Sequence, residues 1–268
     1  MVEFQRKDFY SYEDFLEIMR LLRAPGGCPW DREQTHSSIR RNFLEETYEV
    51  LDAIDHDDAS GMCEELGDVL MQVAFHAQIE AERGRFTMAN VVDGVARKLV
   101  YRHPHVFGDV QADTSQQVLA NWDVLKRREK GQRSTADAVE AVPHTLPALW
   151  RAEKIQSKTA KAGFDWTSSL QALDKLEEEV RELRAALEAG QAADAPHGIR
   201  AELGDTLFMA AKIAQMSGVG PEDALHRACD KFDRRFRAVE EAADKPLPEC
   251  GEAELLALWN DAKSHDPS

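Results

Sequence analysis

The stretch FLEETYEVLDAI, residues 43–54, decides the fold. Phe43, Leu44, Val50, Leu51 and Ile54 recur at helical spacing, which predicts an amphipathic helix with Glu45, Glu46 and Glu49 in its middle. Downstream, EELGDVL (64–70) begins a second apolar stripe, Val69, Leu70 and Val73, behind Glu65 and Asp68. Residues three apart lie roughly 60° apart around a helix, so Glu46 shares a face with Glu49, and Glu65 with Asp68. Where two such helices face each other, four carboxylates converge at one level.

The same sparse pattern then returns. Glu45, Glu46 and Glu49 correspond to Glu178, Glu179 and Glu182 at an offset of 133, and Glu65-Leu66-Gly67-Asp68 to Glu202-Leu203-Gly204-Asp205 at an offset of 137. Lys98 and Arg102 match Lys231 and Arg235 at 133, while Trp122 and Lys126 match Trp259 and Lys263 at 137. Order and local spacing are kept, the mark of an internal duplication with one loop four residues longer in the second half. Leu173, Leu176, Val180, Leu183 and Leu187, then Leu207, Phe208 and Ala211, repeat the apolar stripes. Further helices are expected over 88–101, 116–129, 222–241 and 252–263, and a loop over 191–197. The fold class is therefore all-α, with two tandem helical bundles. Gly131, Ser134, Thr135, Asp137, Pro143 and Pro147 interrupt helical periodicity, which places an N-terminal domain at 1–130, a linker at 131–147 and a C-terminal domain at 148–268.

Composition agrees and excludes several classes. With 268 residues and 43% hydrophobic content the chain can bury a core in each half, so wholesale disorder is excluded. Its net charge of -16 would repel a phosphate backbone, and no stable nucleic-acid binding is expected. Cys28, Cys63, Cys229 and Cys250 form no CxxC pair, as expected of reduced thiols in a cytoplasmic protein. Residues 1–15 carry no apolar signal core, and no apolar run approaches the roughly 20 residues that cross a bilayer, so neither export nor a membrane partner is expected.

A glutamate run on a helix is usually a solvated face. Here it occurs twice, each time followed by a mid-helix glycine that costs about 1 kcal/mol against alanine, which points to close approach of something to that backbone. Converging carboxylates need cations to neutralise them. The donor set is oxygen only, without the histidine three residues after a glutamate that a di-iron bundle requires, and His56 and His76 fall outside the repeat. Such donors suit Mg²⁺, with Mn²⁺ as a substitute, and Mg²⁺ completes its shell with water and substrate phosphates. Lys231 with Arg235, and Lys263 one turn after Trp259, each form one helical face, supplying cations for phosphoryl oxygens and an indole to stack on a base. Trp259 as core filler is the competing reading. No GxxxxGK[ST] loop offers another phosphate cradle. The loops holding Cys28-Pro29-Trp30-Asp31 and Gly163-Phe164-Asp165-Trp166 read first as structural, with Asp as a cap and Trp as packing.

These residues resemble the MazG nucleoside triphosphate pyrophosphohydrolases over nearly the whole chain: Gly27-Cys28-Pro29-Trp30-Asp31 with Glu33-Gln34-Thr35, both EExxE and ExxD pairs, Arg102-His103-Pro104-His105-Val106-Phe107-Gly108, and Gly163-Phe164-Asp165-Trp166. The resemblance implies an all-α homodimer that uses Mg²⁺ to hydrolyse nucleoside triphosphates, ATP among them, to monophosphate and pyrophosphate, serving nucleotide-pool sanitation or alarmone-linked stress control. By that resemblance Glu179, Glu182, Glu202 and Asp205 ligate the metal, and Lys175, Lys231, Arg235, Trp259 and Lys263 contact nucleotide. Glu46, Glu49, Glu65 and Asp68 form the corresponding cluster in the first half. The products imply water attack at the α-phosphorus, for which Glu178 is the candidate base. Asn42 stands where the second half has Lys175, so the C-terminal half is expected to carry most catalysis. Two alternatives are a non-catalytic nucleotide- or metal-binding regulatory module and a narrower enzyme for a deoxynucleotide or an oxidised base.

Overall fold

The computed structural model describes residues 3–266, apart from the side chains of Ala120 and Asp123. All regular structure among the described residues is helical, without a strand, and the chain divides into two units after Leu125.

The first unit contains α1 (Tyr12–Arg23), α2 (Pro29–Glu33), α3 (Arg40–Asp55), α4 (Ala59–Glu82), α5 (Met88–Arg102), α6 (Pro104–Phe107) and most of α7 (Ser115–Glu129). Helices α3 and α4 form the central hairpin. Asp57 makes the turn in a left-handed conformation, φ 52°, and Asp58 caps α4 by accepting from the backbone N–H groups of Ser60 and Gly61. Met19, Ile39, Ala74, Phe75 and Ile79 form the buried core where α1 lies on α4. Beside it, His36 Nδ1 stands 2.7 Å from His76 Nδ1, and His36 Nε2 stands 2.5 Å from Oε1 of the buried Glu80. Arg83 and Arg85 also pair with Glu80.

The second unit contains α8 (Thr135–Glu140), α9 (Ala148–Ala160), α10 (Ser169–Glu188), α11 (Ile199–Met216), α12 (Pro221–Ala242), a 3-10 turn (Leu247–Glu249) and α13 (Glu252–His265). Here α10 and α11 form the hairpin, α9 packs on α11 and α12, and α13 packs on α12. The stretch 131–147 is not all loop, because Ser134 and Asp137 close a capping box that starts α8, and α8 lies on α9.

Neither loop aspartate is a helix cap. Cys28 occupies the N-cap of α2 and Asp31 lies within it, while Ser168 caps α10. Asp165 instead accepts from the ammonium of Lys212 on α11, at 2.5 Å, and the Lys212 side chain is 1% exposed. Lys212 also donates to Gln215 Oε1 at 2.7 Å and stands 5.9 Å from the Trp166 ring centre. A buried cation needs such partners, and this one ties the loop before α10 to α11, fixing the two hairpin helices relative to each other.

Candidate metal and nucleotide site

In the second unit the hairpin brings Glu179 from α10 together with Glu202 and Asp205 from α11, each offering an oxygen within 4.8 Å of the others. Glu179 and Glu202 are buried, at 6% and 5% exposure, while Asp205 is exposed. Two desolvated carboxylates and one open to solvent, all hard oxygen donors, fit a hard divalent cation that keeps positions for water and phosphate. Glu182, one turn further along α10, is exposed and stands outside this group of three. Lys175 Nζ lies 2.8 Å from Glu179 Oε1 and 3.0 Å from Glu178 Oε1. These bonds, Glu179 first, raise the ammonium pKa above the usual lysine value. Glu178 is thus an exposed carboxylate held by Lys175 at the edge of the cluster.

The first unit repeats the arrangement with Glu46 and Glu49 from α3 and Glu65 from α4, again within 4.8 Å. Burial, followed by the charges of Asp68, Glu49 and Glu65, pushes the Glu46 carboxyl above the ordinary glutamate value. Glu65 is raised likewise, by burial and then by Glu49. Asp68 is outside the three-residue group but close enough for its charge to act on Glu46. Arg41, next to the Asn42 that stands in the place of Lys175, pairs with Glu45 at 2.8 Å.

Lys231 and Arg235 sit on α12, Trp259 and Lys263 on α13, and the two helices pack together. The Trp259 ring is half-buried against Phe232, centres 5.3 Å apart. Packing and stacking readings of this indole are thus compatible, since one face can rest on Phe232 while the other meets a base. Arg235 donates through Nε to Asp266 Oδ2 at 2.8 Å. In the first unit the matching Trp122 rests edge-on against His103, 5.0 Å between centres. Sequence reading missed Asp266, although an acidic residue recurs there: Glu129 and Asp266 are 137 apart.

Gly67 and Gly204 occupy mid-helix positions, yet a Cβ at either would meet nothing within 4 Å. The close approach expected from these glycines is therefore not made by the surrounding chain, and the backbone beside the carboxylates lies open. No helix among the described residues is long and apolar enough to cross a membrane.

Comparison with known proteins agrees with this geometry. The MazG nucleotide pyrophosphohydrolase domain matches residues 34–107 and again 167–239, the two stretches that carry the carboxylate hairpins. A nucleoside triphosphate pyrophosphohydrolase of Escherichia coli (strain K12) is 46% identical over 226 residues, 84% of this chain and 85% of the relative. The nucleoside triphosphate pyrophosphohydrolase/pyrophosphatase MazG of Thermotoga maritima is 40% identical over 258 residues, 95% of this chain and 96% of its own length. A Bacillus subtilis protein named YabN is 44% identical over 260 residues, which is 95% of this chain but 52% of that protein.

Proposed function

The chain belongs to the MazG nucleotide pyrophosphohydrolase family, and on that premise we propose that it hydrolyses nucleoside triphosphates to the monophosphate and pyrophosphate. The observation that carries this reading is the group Glu179, Glu202 and Asp205, two of them buried, on facing helices of a matched domain. Glu179, Glu202 and Asp205, joined by Glu182, would hold Mg²⁺, or Mn²⁺ in its place, which supplies neutralisation of phosphoryl charge. Lys231, Arg235 and Lys263 bind the polyphosphate and stabilise negative charge on departing pyrophosphate, and Trp259 stacks on the base. A water oxygen bonds to the α-phosphorus, the bond to the α–β bridging oxygen breaks, and the water proton passes to a carboxylate, for which the candidate is Glu178, supported by its contact with Lys175 at 3.0 Å. Lys175 holds Glu178 and Glu179 and offers an ammonium to phosphate.

In this reading 1–130 and 148–268 are duplicated domains joined through 131–147, and the second supplies most turnover, since Asn42 replaces Lys175 in the first. A homodimer is supported by large apolar side chains left exposed on the hairpins, among them Leu66 and Leu70 on α4 and Leu203, Leu207 and Phe208 on α11. The cysteine spacing supports a cytoplasmic setting. Incubation with Mg²⁺ and a panel of nucleotides, with alarmones included, tests the reaction. Pyrophosphate with monophosphate is expected, whereas single phosphate, or no product at all, would refute it.

A further inference from the structure

Trp259 and Lys263 lie one turn apart along α13, Asp266 is the C-cap that follows the helix, and Lys231 and Arg235 share a stripe of α12. The two helices are fastened at two places. Phe232 meets Trp259 at 5.3 Å, and at the end of α13 Asp266 pairs with Arg235 Nε at 2.8 Å and with Arg234 Nε at 3.4 Å. The Asp266 side chain is 6% exposed and that of Arg235 14%.

Stability alone is a poor reason for this carboxylate. It stands at the C-terminal end of a helix, where the backbone dipole disfavours an anion, and its burial carries a desolvation cost that pairing only offsets. An arginine, however, has one Nε proton and four Nη protons, and a bond through Nε restrains the guanidinium while leaving the Nη fork free to grip a phosphate with two parallel hydrogen bonds. Restraint before binding removes side-chain entropy that would otherwise be lost on contact with the ligand. The duplicated half carries Glu129 at the corresponding position, at the same offset of 137 that relates the Trp and Lys of α13.

We propose that Asp266 is a positioning residue of the nucleotide site, holding the Arg235 guanidinium through Nε. This rests on the assignment of Arg235 as a nucleotide contact. The test is the affinity of the full chain for a non-hydrolysable nucleoside triphosphate with Mg²⁺, by calorimetric titration, with thermal unfolding of each variant as control. Asp266→Ala should weaken binding about tenfold, the scale of one charge-assisted hydrogen bond, and Asp266→Glu should restore most of it. In an Arg235→Ala background, Asp266→Ala should add nothing further, which a merely structural role would not produce. If Arg235→Ala leaves affinity unchanged, the assignment of Arg235 fails and the proposal with it. If Arg235→Ala weakens binding while Asp266→Ala does not, or if the two losses add, the positioning role alone is overturned. Should Asp266→Ala unfold the second unit, Asp266→Asn gives the same comparison.

Discussion

Glu202→Gln should raise the stability of the metal-free second unit and at the same time remove its chemistry. Glu202 is 5% exposed, and its oxygen lies within 4.8 Å of those offered by Glu179 and Asp205. Two unit charges at that separation repel by about 0.9 kcal/mol at the dielectric constant of water and about 3.5 kcal/mol at an effective value of 20. Lys175, 2.8 Å from Glu179, already absorbs part of this repulsion. Relief on the order of 1–3 kcal/mol is therefore expected, which raises the thermal midpoint in EDTA by about 3–9 °C for a domain of this size. Turnover with Mg²⁺ should fall about a hundredfold or more, equivalent to roughly 2.7 kcal/mol of lost transition-state stabilisation. Adding Mg²⁺ should stabilise the wild type and leave the variant nearly unmoved, because only a bound ligand shifts unfolding. Scanning fluorimetry with EDTA and with Mg²⁺, beside a pyrophosphate-release assay, reads all three effects. A lower midpoint in EDTA, or turnover at the wild-type level, would refute the reasoning.

Burial and then the neighbouring His36 depress the pKa of His76, so the stability it contributes is present above the ordinary imidazole range and is lost as pH falls through the lowered value. His76→Phe should flatten that acid limb for the first unit, as followed by circular dichroism. Trp259→Ala should weaken nucleotide binding by about 1–3 kcal/mol with little effect on pyrophosphate, whereas Lys263→Ala should weaken both; equal losses for both ligands in Trp259→Ala would leave stacking without a role. In the full-length chain, Glu179→Gln/Glu182→Gln should cost more turnover than Glu46→Gln/Glu49→Gln, and the reverse order would sink the assignment of catalysis to the second half.

The hairpins were legible because their signal is periodic and doubled. Helices expected over 88–101, 222–241 and 252–263 appear as α5, α12 and α13 with ends shifted by two residues or fewer. Convergence of carboxylates also followed from spacing, but its membership did not. Spacing puts Glu182 on a face with Glu179, yet burial is decided by what α10 packs against, and only Glu179 is covered. The partners of isolated charges were out of reach for a similar reason. Lys212 and Asp165 are 47 positions apart, and no local pattern marks one for the other. His36 and His76 likewise meet through the hairpin's return, and α8 was hidden because its capping box starts a helix too short to show periodicity.

The duplicated units fill one equivalent place in opposite ways. Lys212 lies at the offset of 137 from Phe75, so where the first unit packs an aromatic ring, the second buries an ammonium against Asp165. Warming weakens the hydration of charged groups, so the cost of burying that pair shrinks with temperature while the stabilisation from the ring levels off. At this one structural address the two units therefore respond to temperature differently, the buried Lys212–Asp165 pair growing less costly on warming where the Phe75 ring only levels off.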